Sequence, residues 1–342
     1  MAAPIPSEEN SIAGWRISSK FMRKSIAPLP IRDGLNPTRV RVPHDVMDIT
    51  AGQFVTRLIE TQRHRHPHDD TQAILNRFSA GEVVDSRGRP LAFDSPVPPG
   101  TDVWFYRMPA PEKPVPYEIV VVHEDERLMV VDKPPFLATM PRAQHITETA
   151  TVRLRRATGN NLLVPAHRLD RLTAGLLVFT KYPAIRSAYQ RLFAERKVEK
   201  VYEAIAPYSP ELAEASPITW ENRIHKEPGR YQAELIDGPA NARTLLARVD
   251  RIGSAEQRRL EAIHGPQPPL ARYELHPHTG RTHQLRLHMW TAGVPILGDG
   301  AYPTPLDPED EDFCAPLRLT ARRLSFRDPI DHTDRTFETH RW

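Results

Sequence analysis

The sequence predicts an α+β protein: a sheet with helices packed on it, preceded by a small α+β module. Three observations carry this expectation. Strand-sized runs, apolar or alternating, recur at residues 117–123, 128–132, 176–179, 199–206, 245–249 and 270–275. Apolar residues at helical spacing fall between several of these runs and again near the front of the chain. A proline-dense stretch, residues 108–116, divides the two regions and reads as a polyproline-like linker.

Composition sets the outer limits. At 342 residues the chain is long enough for two domains and a sizeable core. A formal charge of +3 and a pI near 9.0 make it mildly basic, which agrees with a nucleic-acid partner. One cysteine, Cys314, excludes an internal disulfide framework and a multi-cysteine zinc centre, and it suits a reducing, cytoplasmic setting. Residues 1–9 lack the basic start and apolar core of a targeting segment. The longest apolar runs are strand-sized, too short to span a bilayer.

The elements follow in order. Residues 1–44 form a basic arm in which Arg16, Lys20, Arg23, Lys24, Arg32, Arg39 and Arg41 face chiefly Asp33, as a phosphate-binding arm would. Residues 45–107 form the small module. Phe54, Leu58 and Ile59 belong to one helix, and Ile74, Leu75 and Phe78 to a second. Residues 81–90 read as strand, tight turn and strand, and a turn at 98–102 leads into a strand at 103–106. His64, His66 and His68 alternate between the helices; with no cysteine nearby and no helix to group them, they read as an exposed basic loop rather than a metal site.

The larger domain, residues 117–342, opens with two strands that end at Lys133-Pro134-Pro135. Lys133 reads as a surface lysine or a phosphate contact. Residues 151–158 suit a short basic helix. Pro183 opens a longer one, with Ile185, Ala188, Tyr189, Leu192 and Phe193 on one face. In the strand at 199–206, Tyr202 shares a face with Lys200 and Ala204, opposite Val201 and Ile205. A lysine on that face indicates that it is wet or lines a cleft. The polar stretch 253–269 reads as an excursion between paired strands. Residues 281–292 suit a helix stopped by Gly293, and residues 317–326 a last strand or short helix.

One stretch stands out chemically. His167, Arg168, Leu169, Asp170 and Arg171 are followed by a small-residue turn and the apolar run 176–179. Asp170 lies between two arginines, and nearby cations favour the charged form of a carboxylate. That suits a nucleophile or a base, although alone it also describes a surface ion pair at a turn.

The stretch from His167 to Phe179 resembles the H-R-L-D-x-x-T-[SA]-G-L-[LV] signature of RluA-type RNA pseudouridine synthases. Three further ordered segments resemble that family: residues 124–135, 200–204 and 278–289, the last containing Arg281-Thr282-His283-Gln284-Leu285-Arg286. The resemblance spans about residues 117–327. It implies a pseudouridine synthase fold, a mixed, mostly antiparallel sheet with a cleft across its middle and Asp170 in a loop at the cleft floor, and a front module like a small ribosomal-protein RNA-binding domain. It implies isomerisation of uridine in structured RNA, large-subunit ribosomal or transfer RNA, with no cofactor and no metal. Asp170 becomes the catalytic carboxylate, Tyr202 a residue stacked on uracil that helps remove the C5 proton, and Arg286 the ion-pair partner of Asp170. Arg168 fills the stack vacated by the extruded base, His167 buttresses the loop, and Arg281 and His283 touch phosphate or order the cleft. RNA is the partner, no membrane is implied, and a monomer is expected. A non-catalytic RNA-binding protein on the same scaffold is the competing reading, which has no need of Asp170, Tyr202 and Arg286 together. A glycosidase fits less well, because no second acid accompanies Asp170 in these motifs.

Overall fold

A computed structural model of the chain describes residues 27–227, 230–305 and 311–340. Arg16, Lys20, Arg23 and Lys24 of the basic arm lie outside the described residues. The rest divides into two compact units. The smaller takes in residues 27–30 with Asn36–Arg63 and Pro67–Met108. The larger takes in Ile31–Leu35, His64–His66 and the described residues from Pro109 onward.

The smaller unit pairs β1 (Thr38–Arg41) antiparallel with β2 (Asp102–Phe105), and packs α1 (Ala51–Glu60) and α2 (Thr71–Ser79) around Val42, Phe54, Val55, Ile59, Ile74, Val103 and Phe105. Both helix starts are encoded locally. The Thr50 hydroxyl accepts from the Gln53 amide while the Gln53 side chain accepts from the Thr50 amide, and Asp70 caps α2 through the Ala73 amide. The strand–turn–strand expected at residues 81–90 is reduced to single bridges from Val84 to Pro90 and Trp104. The Asp85 carboxylate accepts from the Arg87 and Arg89 amides, which curls the chain before a ladder can extend.

The larger unit is built on one ten-stranded sheet. In chain order its elements are β3 (Val120–Glu124), β4 (Leu128–Lys133), α3 (Ala150–Thr158), β5 (Val164–Pro165), β6 (Ala174–Thr180), α4 (Pro183–Ala194), β7 (Glu199–Pro207), α5 (Pro210–Ala215) and β8 (Ile218–Asn222). A small hairpin follows, β9 (Ile224–His225) with β10 (Glu234–Leu235). Then come β11 (Ala242–Arg251), α6 (Ser254–His264), β12 (Leu270–Pro277), α7 (Gln284–Thr291), β13 (Leu319–Arg327) and β14 (Asp334–Glu338).

The strand order is β3-β4-β6-β13-β7-β12-β11-β8, with β14 on β13 and β5 on β6. Every pairing is antiparallel except β6 with β13, which makes the sheet mixed as expected. The core lies over the centre, where Leu177, Ala204, Tyr273, Leu275, Leu285, Met289 and Ala321 are buried together.

Three segments differ from the sequence reading. The polar stretch 253–269 contains α6, whose single buried residue, Leu260, leaves too faint an apolar stripe to read. The helix expected from residue 281 begins at Gln284, because His283 sits in the left-handed region at φ 56°. The proline-dense segment is tied to the larger unit rather than free of it. There the Glu112 carboxylate accepts from the Ile146 and Thr147 amides and the Thr147 hydroxyl, at 3.0, 2.6 and 2.7 Å.

Candidate active site

Asp170 lies in the loop that leads into β6, and its two neighbours are fixed by groups from the end of β4 and the segment after it. The Thr139 hydroxyl accepts from the Leu169 amide at 3.1 Å and donates to the Leu169 carbonyl at 2.9 Å. On the other side Lys133 is fully buried. Its ammonium donates to the carbonyls of Pro134, Leu137 and Arg171, at 2.7, 2.8 and 3.2 Å. Lys133 is thus a buried internal clamp, not the surface lysine or phosphate contact expected from sequence. The Asp170 carbonyl accepts from the Thr173 amide at 3.1 Å, closing the turn.

Gly175 then lets β6 meet β13. With φ at +108°, a Cβ there would fall 2.4 Å from the Ala321 carbonyl oxygen. Ala321 also pairs with Tyr202 across β7, so this close approach sets the distance between the Asp170 loop and the tyrosine strand.

Arg171 does not flank Asp170 as its place in the sequence suggested. Its guanidinium turns away to the Glu311 carboxylate and the Phe136 carbonyl. Among the described residues the Asp170 carboxylate has no hydrogen-bond or ion-pair partner. Its field nevertheless reaches Tyr202, His283, Arg286 and Tyr302, which places it among them.

The opposite wall is α7 and the loop before it. Gln284 holds this wall by both ends of its amide. The oxygen accepts from the Thr279 hydroxyl at 2.7 Å and the Arg281 amide at 3.1 Å. The nitrogen donates to the Arg243 carbonyl at 3.0 Å and the Thr244 hydroxyl at 2.9 Å. Two residues on, Arg286 is 1% exposed and makes a two-pronged ion pair with Asp299, Nε to Oδ2 at 2.9 Å and the second prong at 2.5 Å. The partner of Arg286 is therefore Asp299, and Asp170 acts on it only through space. Desolvation opposes its charge, but the Asp299 contacts and then Asp170 outweigh this and raise its pKa.

Asp299 is itself oriented by the Ala301 amide at 2.8 Å. Tyr302 packs its ring 5.6 Å from the Arg286 guanidinium. Its hydroxyl donates to the Ala233 carbonyl, so the His283 Nδ1 that meets it at 3.1 Å is the donor.

These groups enclose a cavity of about 430 Å³, within the range of small-ligand sites. All seven residues singled out from sequence line it: His167, Arg168, Asp170, Tyr202, Arg281, His283 and Arg286. Arg168 is exposed at its edge, and Arg281 ties its Nε to the Asn241 carbonyl at 3.2 Å. His167 is stacked 4.1 Å from Phe193, and its Nε2 accepts from the Val178 amide. Burial pushes its pKa down to about 3, which fixes it neutral and suits a buttress. His283 is pushed down to about 4, by burial and then by Arg286, so it orders the wall and cannot attract phosphate as a cation. Burial and the Asp170 charge both raise the Tyr202 phenol above its ordinary value, so it is not a resting phenolate.

The sequence reading gave Asp299 no role beyond shaping a turn, and it assigned none to Thr139 or Gln284. Asp299 had a signal in principle, since a buried arginine needs an acid, but nothing in the chain says which of 43 acids supplies it. Thr139 carries no local signal, because its bonds span 30 residues.

A family model described as RNA pseudouridylate synthase matches residues 127–290. A dual-specificity RNA pseudouridine synthase RluA of Pasteurella multocida is 32% identical over 211 residues, covering 61% of this chain and 87% of that protein. The RluA of Escherichia coli K12 is 31% identical over 64% of this chain and 92% of that protein. An uncharacterized RNA pseudouridine synthase of Synechocystis is 28% identical, over 72% and 79%. Among solved structures, human RNA pseudouridylate synthase domain containing 1 aligns with a TM-score of 0.51 at 24% identity, over 66% of this chain and 84% of that one, and supports the fold. On these matches the chain belongs to the RluA-type RNA pseudouridine synthases, isomerases that convert uridine in RNA to pseudouridine.

Proposed function

We propose that Asp170 is the carboxylate that acts at the sugar of the target uridine. The observation that supports this best is that, among the described residues, its carboxylate has no hydrogen-bond or ion-pair partner, on a cavity floor whose neighbouring backbone is fixed on both sides. In the reaction the bond from C1′ to N1 breaks, the uracil turns over, and C5 joins C1′. The proton leaves C5 and N1 gains one, so nothing is oxidised and nothing is consumed. Asp170 either attacks C1′ and is displaced by C5, or removes the 2′ proton and returns it.

Tyr202 stacks on the detached uracil. As a protonated phenol it relays the C5 proton, accepting it as its own proton passes to water, while N1 takes a proton from water. Arg286, held by Asp299, keeps a fixed positive charge beside Asp170 without neutralising it in a direct ion pair. Arg168 enters the stack that the extruded base leaves, offsetting a cost of a few kcal/mol.

The substrate is a uridine in structured RNA, in large-subunit ribosomal RNA, transfer RNA or both. The RluA relatives are named dual-specificity synthases, which supports more than one kind of target RNA. The front module and basic arm add RNA contacts, and the enzyme works as a cytoplasmic monomer. No helix among the described residues is long and apolar enough to cross a membrane.

Single-turnover kinetics on unmodified RNA test the assignment. Asp170→Asn is expected to abolish conversion with RNA affinity retained. Tyr202→Phe is expected to lose turnover by roughly 100-fold or more while binding holds, since a lost proton-transfer partner costs about that much. Conversion by Asp170→Asn above background would overturn the role of the carboxylate. Normal turnover in Tyr202→Phe would leave only stacking.

A further inference from the structure

Lys200 takes no part in the chemistry above. It lies two residues before Tyr202 on β7, so both side chains leave the strand on one face, and both line the cavity. The cavity wall beside it comes from Gln190, Phe193 and Ala194 at the end of α4, and from His167.

Among the described residues no acid pairs with the Lys200 ammonium. Glu195 is taken by Lys197 at 2.7 Å, and Glu199 faces Arg323 at 3.9 Å. Asp170 lines the same cavity and, among the described residues, makes no ion pair with Lys200. The end of α4 makes no claim on it either. The Arg191, Leu192 and Phe193 carbonyls already accept from the Glu195, Lys197 and Arg196 amides. Burial pushes the ammonium below its ordinary pKa, and Arg196 adds to this. A half-buried cation without a counter-charge is destabilising on its own. It fits a wall that an anion comes to meet.

Uracil and ribose are neutral, so the anions a uridine in RNA brings to the cavity are its flanking phosphodiesters. We propose that Lys200 binds a phosphodiester oxygen of the RNA strand next to the target uridine. The inference rests on the reading of this cavity as the place where Asp170 meets the sugar. Lys200 is then a substrate-positioning residue that strengthens binding without entering the chemistry.

The test is single-turnover conversion of unmodified total RNA, extracted from cells lacking the enzyme, at salt between about 50 and 200 mM. Lys200→Met keeps the alkyl stem and removes the charge. It is expected to raise the half-saturating RNA concentration while the rate at saturation stays within about twofold. The slope of log affinity against log salt is expected to lose ~0.7–0.9, the contribution of one phosphate contact. Lys200→Arg is expected to keep the wild-type slope. If Lys200→Met melts early, Lys200→Gln carries the same comparison. A wild-type slope in the neutral variant overturns the proposal, as does a lower saturating rate at unchanged half-saturation. Asp170→Asn run alongside separates the two ideas: conversion by that variant sinks the reading of the cavity, whatever Lys200 does.

Discussion

A single hydroxyl has an outsized share in where the carboxylate sits. Thr139 satisfies both backbone groups of Leu169, the residue before Asp170, in a buried position. Valine has the same shape and leaves an N–H and a C=O unpaired, at a cost of roughly 1–3 kcal/mol. Thr139→Val is therefore expected to lower the saturating rate on the order of 10-fold, about 1.4 kcal/mol in the barrier, with RNA affinity unchanged. Thr139→Ser, which keeps the hydroxyl, is expected to restore it. A valine variant that turns over normally would show that the clamp does not position Asp170. The place of Asp170 on a cavity was legible, because charged neighbours and a small-residue turn mark its loop. Its electrostatic setting was not. Adjacency in sequence put Arg171 beside it, whereas the fold turns Arg171 to Glu311 and brings the buried Arg286–Asp299 pair into range instead.

Among the elements, the junction of β6 and β13 matters most to the cavity. It is the one parallel pairing in the sheet, and it joins the strand after Asp170 to the neighbour of the Tyr202 strand. Gly175 makes it possible. Gly175→Ala places a methyl group 2.4 Å from the Ala321 carbonyl in a backbone region that alanine avoids. The strands must part there, and a loss of several kcal/mol in urea unfolding is expected. Unchanged stability would mean that β6 shifts without strain. The strands themselves were readable from their alternation and apolar runs. The start of α7 was not, since the left-handed His283 follows from its partners Tyr302 and Tyr231 rather than from local propensity. Helix α6 was hidden for a different reason: it buries one residue, so its sequence reads as loop.

For the molecule as a whole, buried neutral histidines set an acid limit. His283 and His288 are both pushed down to about 4, mainly by burial, from an ordinary value of 6.5. Between those two values the unfolded chain binds protons at these imidazoles and the folded chain does not. Stability is therefore complete above about pH 6.5 and falls as the pH drops toward 4, by up to about 1.4 kcal/mol per histidine for each pH unit. Urea melts at pH 7 and pH 5 are expected to show this loss, and His288→Gln is expected to lessen it. Equal stability at the two pH values would contradict the buried neutral assignment.

The central claim, that Asp170 in this cavity isomerises uridine in RNA, is tested most directly by a pseudouridine map of total RNA. The map compares cells lacking the gene, cells restored with the wild type, and cells restored with Asp170→Ala. The account predicts that at least one uridine in ribosomal or transfer RNA loses its mark, and that only the wild type restores it. A mark restored by Asp170→Ala, or a map with no change at any site, would contradict it.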